Sequence, residues 1–387
     1  MMLARLAAAG VLLATACSST TDHLGDDPLP AVTQGDPPFA DILDKTPDAI
    51  DAKVEAAFQQ LFYGDPDSEA IYVESGSDGA FILNTYGDDR RSDGLGYGMF
   101  ITVQLGKREE FDRLWTLGDQ DLRYHSGPRR DFLYWNCGPE ACPDPNGTTY
   151  AAAALLMAER RWSEPSYGAD ARALLAAMLH KEAQNGGVVE NVHSMVDAAT
   201  GLIVRSPLIP EEVTTSFLLP AFYEYFAQRV PADAGAWRRS AAAARQFMLE
   251  IAHPETGLVP EHASLDGAPL ADLFATESHR VGLNIALDHA WYGSSVALPV
   301  LDRSLTFFES QGEYVAHYTL GGAPQVPYNA AALVASNGAA AAVASGDHEA
   351  FVQAVWDMPI PTGEARSYDG LVYLMTLLYL SGHSSPL

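Results

Sequence analysis

The stretch Asp51-Ala52-Lys53-Val54-Glu55-Ala56-Ala57-Phe58-Gln59-Gln60-Leu61-Phe62 sets Val54, Phe58, Leu61 and Phe62 three and four positions apart, on one face of a helix. The same period returns along the chain, with Ala153, Leu156 and Met157 sharing a second such face. About twelve blocks carry it: 51–62, 95–106, 108–119, 149–162, 169–183, 215–229, 233–252, 277–291, 294–310, 327–344, 347–357 and 367–380. Strand-like alternation is confined to short pieces such as Ala70-Ile71-Tyr72-Val73. The pattern predicts an all-α fold. Such helices build either an open solenoid or a closed α/α barrel of hairpins. No exact repeat is present, and long loops bearing aromatics and acids (79–93, 124–147, 187–214, 253–277) alternate with short turns. That alternation favours the closed (α/α)6 barrel, with a functional loop face at one end.

Composition narrows the partners. The chain has 387 residues, 23 Lys+Arg against 50 Asp+Glu, and a formal charge of -27. A nucleic-acid binder needs a basic face, and an anionic membrane surface repels this one, so neither partner is expected. With 48% hydrophobic and 19% charged residues, an ordinary core forms.

The N-terminus shows Arg5, an apolar run from Leu6 to Ala16, and then Cys17. A run that short fits a secretory signal and not a membrane span. Leu13-Ala14-Thr15-Ala16-Cys17 resembles a bacterial lipobox with Cys17 as the lipidated residue, while Ala14-Thr15-Ala16 also reads as an ordinary cleavage site. The expectation is an exported protein, anchored to a membrane through Cys17 at the periplasm or cell surface, or else secreted. Residues 18–46, rich in Ser, Thr, Asp and Pro, read as a disordered tether, which leaves 47–387 as the folded domain. Outside, Cys137 and Cys142 would close a small ring contributing about 2 kcal/mol; two unpaired thiols are the alternative. Their spacing makes a poor zinc site.

There is no phosphate loop, no H-E-x-x-H, no G-x-S-x-G and no G-x-G-x-x-G opening a helix, and the 11 His form no convincing ligand set. Neither a metal nor a cofactor is expected. What remains is an acidic, aromatic-rich set of loops on a helical frame, the composition of a carbohydrate cleft, where flat rings stack on sugars and carboxylates move protons.

Arg91-Ser92-Asp93-Gly94-Leu95-Gly96-Tyr97-Gly98-Met99, with Phe111-Asp112-Arg113-Leu114-Trp115 following, resembles the general-acid segment of glycoside hydrolase family 8. His253 to Glu261, Asp266-Gly267, Ser278-His279-Arg280-Val281 with Asn284 to Asp288, and Pro361-Thr362-Gly363 through Tyr368-Asp369 resemble its branch of reducing-end xylose-releasing exo-oligoxylanases. The resemblance implies an (α/α)6 barrel that hydrolyses β-1,4-linked oligosaccharides, xylo-oligosaccharides among them, with inversion. Asp93 stands where the family has its Glu acid, and Glu277 where the branch has its Asp base, so the two residue types are exchanged. Each exchange moves a carboxylate by more than 1 Å, and a misplacement near 1 Å costs about 10²-fold in rate. Together they keep the same number of methylenes, so the roughly 6.5–9.5 Å gap needed for one water survives, with the reacting centre displaced toward Asp93. The bland alternative makes Asp93 a helix cap and Glu277 a first-turn acid.

By the same resemblance, Tyr97, Trp135, Asn146, Phe217 and Asn329 are candidate substrate contacts, and Arg280 orients carboxylates. Asn146 replaces a family Asp that holds the distorted sugar; Asp144 is a candidate to stand in for it. Thr214, Phe217 and Leu218 replace Asp, Tyr and His, and Asn329 replaces a His. A carbohydrate-binding homologue without turnover is the alternative those losses favour. A lyase or a hydrolase for another glycan is the third, disfavoured for uronates by the charge of -27. The chain is expected to act as a monomer on an oligosaccharide.

Overall fold

A computed structural model describes residues 35–136 and 142–387. Helix α1 spans Pro38–Asp41 and α2 Pro47–Tyr63. Strands β1 (Tyr72–Ser75), β2 (Gly79–Asn84) and β3 (Asp89–Arg90) follow, then α3 (Ser92–Leu105), α4 (Arg108–Leu122), α5 (Pro145–Trp162) and α6 (Pro165–Asn185). Strand β4 (Glu212–Thr214) leads through a 3₁₀ turn at Thr215–Phe217 to α7 (Pro220–Arg229) and α8 (Ala234–Ile251). Strand β5 (His262–Ser264), α9 (Thr276–His279), α10 (Val281–Tyr292), α11 (Leu298–Gln311), α12 (Ala331–Ala341), α13 (Glu349–Asp357) and α14 (Arg366–Leu380) complete the chain.

Burial sorts the helices into two rings. Helices α3, α5, α7, α10, α12 and α14 are buried around almost their whole circumference, as core helices must be. Each packs on the next, and α14 packs back on α3, so the inner ring closes. Helices α4, α6, α8, α11, α13 and α2 bury one face each and lie outside, paired with α3, α5, α7, α10, α12 and α14 respectively. The fold is an (α/α)6 barrel, in which α2 joins the last hairpin to the first.

Glycines set the tightest seam. A Cβ on Gly96 would lie 2.7 Å from Tyr150 Cβ and 2.9 Å from the Gly147 carbonyl oxygen, so the backbones of α3 and α5 meet directly there. Around α7, a buried cation is answered by two acids: Arg245 of α8 donates to Glu224 of α7 at 2.8 Å and to Asp288 of α10 at 2.7 Å.

Each of the expected blocks holds one long helix, but two details differ. The segment 277–291 is broken at Arg280, dividing α9 from α10, and 215–229 opens as a 3₁₀ turn before Pro220 starts α7. The tether boundary also moves. Phe39 of α1 is fully buried, with its ring 5.0 Å from that of Trp356, so the packed body begins before residue 47. An apolar anchor among prolines carries no period that composition can detect. Residues 1–34, including Cys17, and 137–141, including Cys137, lie outside the described residues. Cys142 is a free thiol with Sγ 2.9 Å from the Ser206 hydroxyl. Among the described residues, no helix is long and apolar enough to cross a membrane.

Candidate active site

A cavity of about 540 Å³ opens where several inner helices begin, walled by Asp93, Tyr97, Trp135, Glu277, Arg280 and Tyr368. The long loops lead into this end, so the irregular face foreseen from loop lengths is the face with the cavity.

Asp93 lies in the first turn of α3 and accepts from the Gly94 amide at 2.8 Å. Arg91 is the residue that caps the helix by position, so Asp93 is not its N-cap. Burial pushes the Asp93 carboxyl above the usual carboxylate range, and Glu277 adds to this, against the amide bond, Arg280 and Arg91. The helix dipole favours the anion by only about 0.3–1 kcal/mol at an exposed site. Desolvation wins, and the proton is retained more tightly.

Glu277 is held differently. The β4–β5 pair, with Thr214 opposite His262, brings the following turn against α9. Ser216 of that turn donates to Glu277 Oε2 at 2.9 Å, and Arg280 donates to the same oxygen at 3.1 Å. Glu261, just before β5, accepts from the Glu277 backbone amide at 2.9 Å. The Glu277 side chain is still 35% exposed. One oxygen is thus fixed while the carboxylate stays open to solvent.

Arg280 is the link between walls. It is 2% exposed, donates to the Ser216 hydroxyl at 2.7 Å, and its guanidinium lies 5.5 Å from the ring centres of both Tyr97 and Tyr368. Trp135 is 43% exposed, with the Arg91 guanidinium 4.2 Å over its ring. His279 donates Nε2–H to the Ala316 carbonyl at 2.9 Å, and burial lowers its pKa to about 4, so it is neutral at ordinary pH. Among the described residues no group of three or more His, Cys, Asp and Glu is placed to hold a metal.

Six of the residues singled out from sequence therefore meet in one cavity: Asp93, Glu277, Tyr97, Trp135, Arg280 and Asn329. Asn329 turns its Oδ1 to the neighbouring Ala330 amide at 2.8 Å. Asn146 and Phe217 are corrections. Asn146 is 2% exposed and is not among the residues that wall the cavity; it donates to the hydroxyl of Tyr97, which is. Phe217 packs against the core, and its carbonyl accepts from Tyr223. Asp144 does not stand in for a sugar contact: it caps α5, accepting from the Asn146 and Gly147 amides. Sequence reasoning missed Ser216, which fixes the carboxylate, and the site roles of Tyr368 and Asp369 on α14. Asp369 faces the cavity and accepts from the Ala332 amide at 3.1 Å.

A helical barrel with two carboxylates in contrasting surroundings and an exposed aromatic platform defines a carbohydrate-cleaving enzyme by class. Known proteins agree. The family described as glycosyl hydrolases family 8 matches residues 83–382. The reducing-end xylose-releasing exo-oligoxylanase Rex8A of Paenibacillus barcinonensis is 34% identical over 359 residues, covering 87% of this chain and 92% of the relative. Its structure with xylose superimposes with a TM-score of 0.83, covering 90% of this chain and 97% of that one. A xylobiose complex of a family 8 protein from Teredinibacter turnerae, 30% identical, gives 0.85 over 90% of this chain and 97% of the other. The chain belongs to glycosyl hydrolases family 8 and is a glycoside hydrolase.

Proposed function

We propose that the chain hydrolyses short β-1,4-linked oligosaccharides, xylo-oligosaccharides first among them, with Asp93 as general acid and Glu277 as general base. The observation that carries this reading is the contrast between the two carboxylates on one cavity. Burial makes Asp93 a stronger holder of its proton, as an acid must be. Glu277 has one oxygen tied by Ser216 and Arg280 and remains open to solvent, as a base that takes a proton from water must be. Asp93 protonates the leaving glycosidic oxygen while Glu277 deprotonates a water attacking the opposite face of the sugar, which inverts the anomeric centre. Trp135 offers a flat face to a sugar ring, and Arg280 keeps the base in place.

The similarity to exo-oligoxylanases over most of both chains supports xylo-oligosaccharides as substrates. Incubation with xylotriose and xylotetraose, with products followed by proton NMR, tests it: release of xylose and a shorter oligomer, with the newly formed reducing end first seen as the α-anomer, is expected. Binding without turnover is the second reading, favoured by Leu218, fully buried and apolar where the family branch has a His. Tight binding with no product between pH 4 and 8 selects it. We also propose export, with Cys17 as lipid anchor; labelled palmitate incorporated by the wild type and absent from Cys17→Ser supports the anchor, and equal labelling excludes it.

A further inference from the structure

Tyr86, 59% exposed, is the most exposed large apolar side chain among the described residues. Lone exposed rings are common on protein surfaces. This one lines the cavity together with Trp135 and Tyr328, so three of the seven large apolar side chains exposed among the described residues meet at one opening. The turn that carries Tyr86 is stiff. It joins β2 to β3, with Asn84 paired to Asp89, and the Asn84 side-chain amide donates to the Asp89 carboxylate at 2.5 Å. Thr85 is fastened to the start of α14: its backbone amide donates to the Ser367 hydroxyl at 3.3 Å, and its own hydroxyl lies 2.8 Å from the same oxygen. None of these bonds uses the Tyr86 ring, which its neighbours hold at the rim.

Arg91 connects this turn to the proposed sugar platform. Its Nε donates to Asp89 at 2.9 Å, and its guanidinium lies 4.2 Å over the Trp135 ring. A Cβ on Gly87, the residue after Tyr86, would lie 2.9 Å from Arg91 Nη2. One cation thus touches both Trp135 and the turn that presents Tyr86. The two exposed rings belong to one continuous stretch of rim.

We propose that Tyr86 is a specificity-determining residue: its ring stacks on a pyranose beyond the one met by Trp135, an outer subsite that makes longer β-1,4-linked chains bind more tightly than short ones. This deepens the reading of the cavity as an oligosaccharide cleft and rests on it. A pyranose presents an apolar C–H face and a hydroxyl-bearing edge. The face buries against a flat ring while the edge stays in water, so the contact needs no polar partner at the rim. A ring already held by its turn loses little freedom on binding, and most of the contact is realised as affinity.

Titration calorimetry of the Asp93→Asn protein with xylobiose and with xylohexaose tests this, the ratio of the two affinities being the readout. In that background Tyr86→Ala should lower the hexaose-to-biose ratio about tenfold. Tyr86→Leu, which keeps apolar bulk without a flat ring, should lower it too, and Tyr86→Phe should preserve it. A misfolded variant would weaken both ligands together, so the ratio reads the outer contact and not stability. A ratio unchanged in Tyr86→Ala overturns the proposal. An equal fall in Tyr86→Phe also overturns it, by tracing the effect to the hydroxyl and not to stacking. If the parent binds neither xylo-oligosaccharide, the xylan reading fails; cellobiose and cellohexaose then take their place, and the same outcomes decide about Tyr86. Binding of neither series overturns the cleft and the subsite together. Hydrolysis of the ligands by the Asp93→Asn protein would count against Asp93 as the acid, and the hexaose-to-biose ratio of kcat/KM then replaces the ratio of affinities.

Discussion

Arg280 donates to Glu277 Oε2 at 3.1 Å while its guanidinium lies between the rings of Tyr97 and Tyr368. The proposed base is therefore oriented by a cation whose own position is set by α3 and α14, on the far sides of the cavity. A flat guanidinium suits that slot, and an ammonium does not reproduce its fork.

Arg280→Lys is expected to lose one of the two bonds, to Ser216 or to Glu277, and to let the carboxylate swing. A displacement near 1 Å lowers kcat by about 10²-fold. Sugar stacking at Trp135 is untouched, so KM should change little; steady-state kinetics on xylotriose read both terms.

The exchanged acids predict strong coupling. Asp93→Glu alone and Glu277→Asp alone each misplace one carboxyl, and each should lower kcat/KM by about 10²-fold. The double variant restores the summed side-chain length and should lose far less than the product of the two. Additive losses in this cycle would mean that the two residues do not flank one bond.

His279 gives a pH dependence of stability. Burial lowers its pKa to about 4 from an ordinary value of 6.5. The unfolded chain then binds a proton that the folded chain refuses, so stability is complete above the unfolded value and is lost as pH falls through 6.5 toward 4. The loss is about 3 kcal/mol by the linkage constant. His279→Gln should flatten the fall in chemical denaturation midpoints between pH 7 and 4.

Arg245 joins Glu224 and Asp288 inside the barrel. Arg245→Met leaves two buried carboxylates without their cation and should cost about 3–5 kcal/mol. Equilibrium denaturation measures it, and replacing both acids by apolar residues in the same chain should recover part of the loss.

Much of this architecture is legible in the order of residues. The spacing of Val54, Phe58, Leu61 and Phe62 marks an outer helix with one buried face, and the near-continuous apolar run of α14 marks an inner one. Asp93 and Glu277 were reachable because motif residues flank them. Ser216 was not: a serine between threonine and phenylalanine carries no period, and its contact with Glu277 depends on the pairing of β4 with β5. Position in a motif does not reveal that Asn146 is buried and spends its amide on the Tyr97 hydroxyl. The anchoring of Phe39 was hidden for a similar reason, since its partner Trp356 is far along the chain.

The central claim is the division of labour between Asp93 and Glu277, and leaving groups separate the two roles. A fluoride departs without a proton, so an acid is dispensable for an oligoxylosyl fluoride, whereas the water must still be activated. Turnover of xylotriose and of β-xylobiosyl fluoride should be measured for Asp93→Asn and Glu277→Gln. The account predicts that Asp93→Asn loses xylotriose hydrolysis yet retains the fluoride, while Glu277→Gln loses both. Equal loss of both substrates in Asp93→Asn, or undiminished turnover in Glu277→Gln, would contradict it.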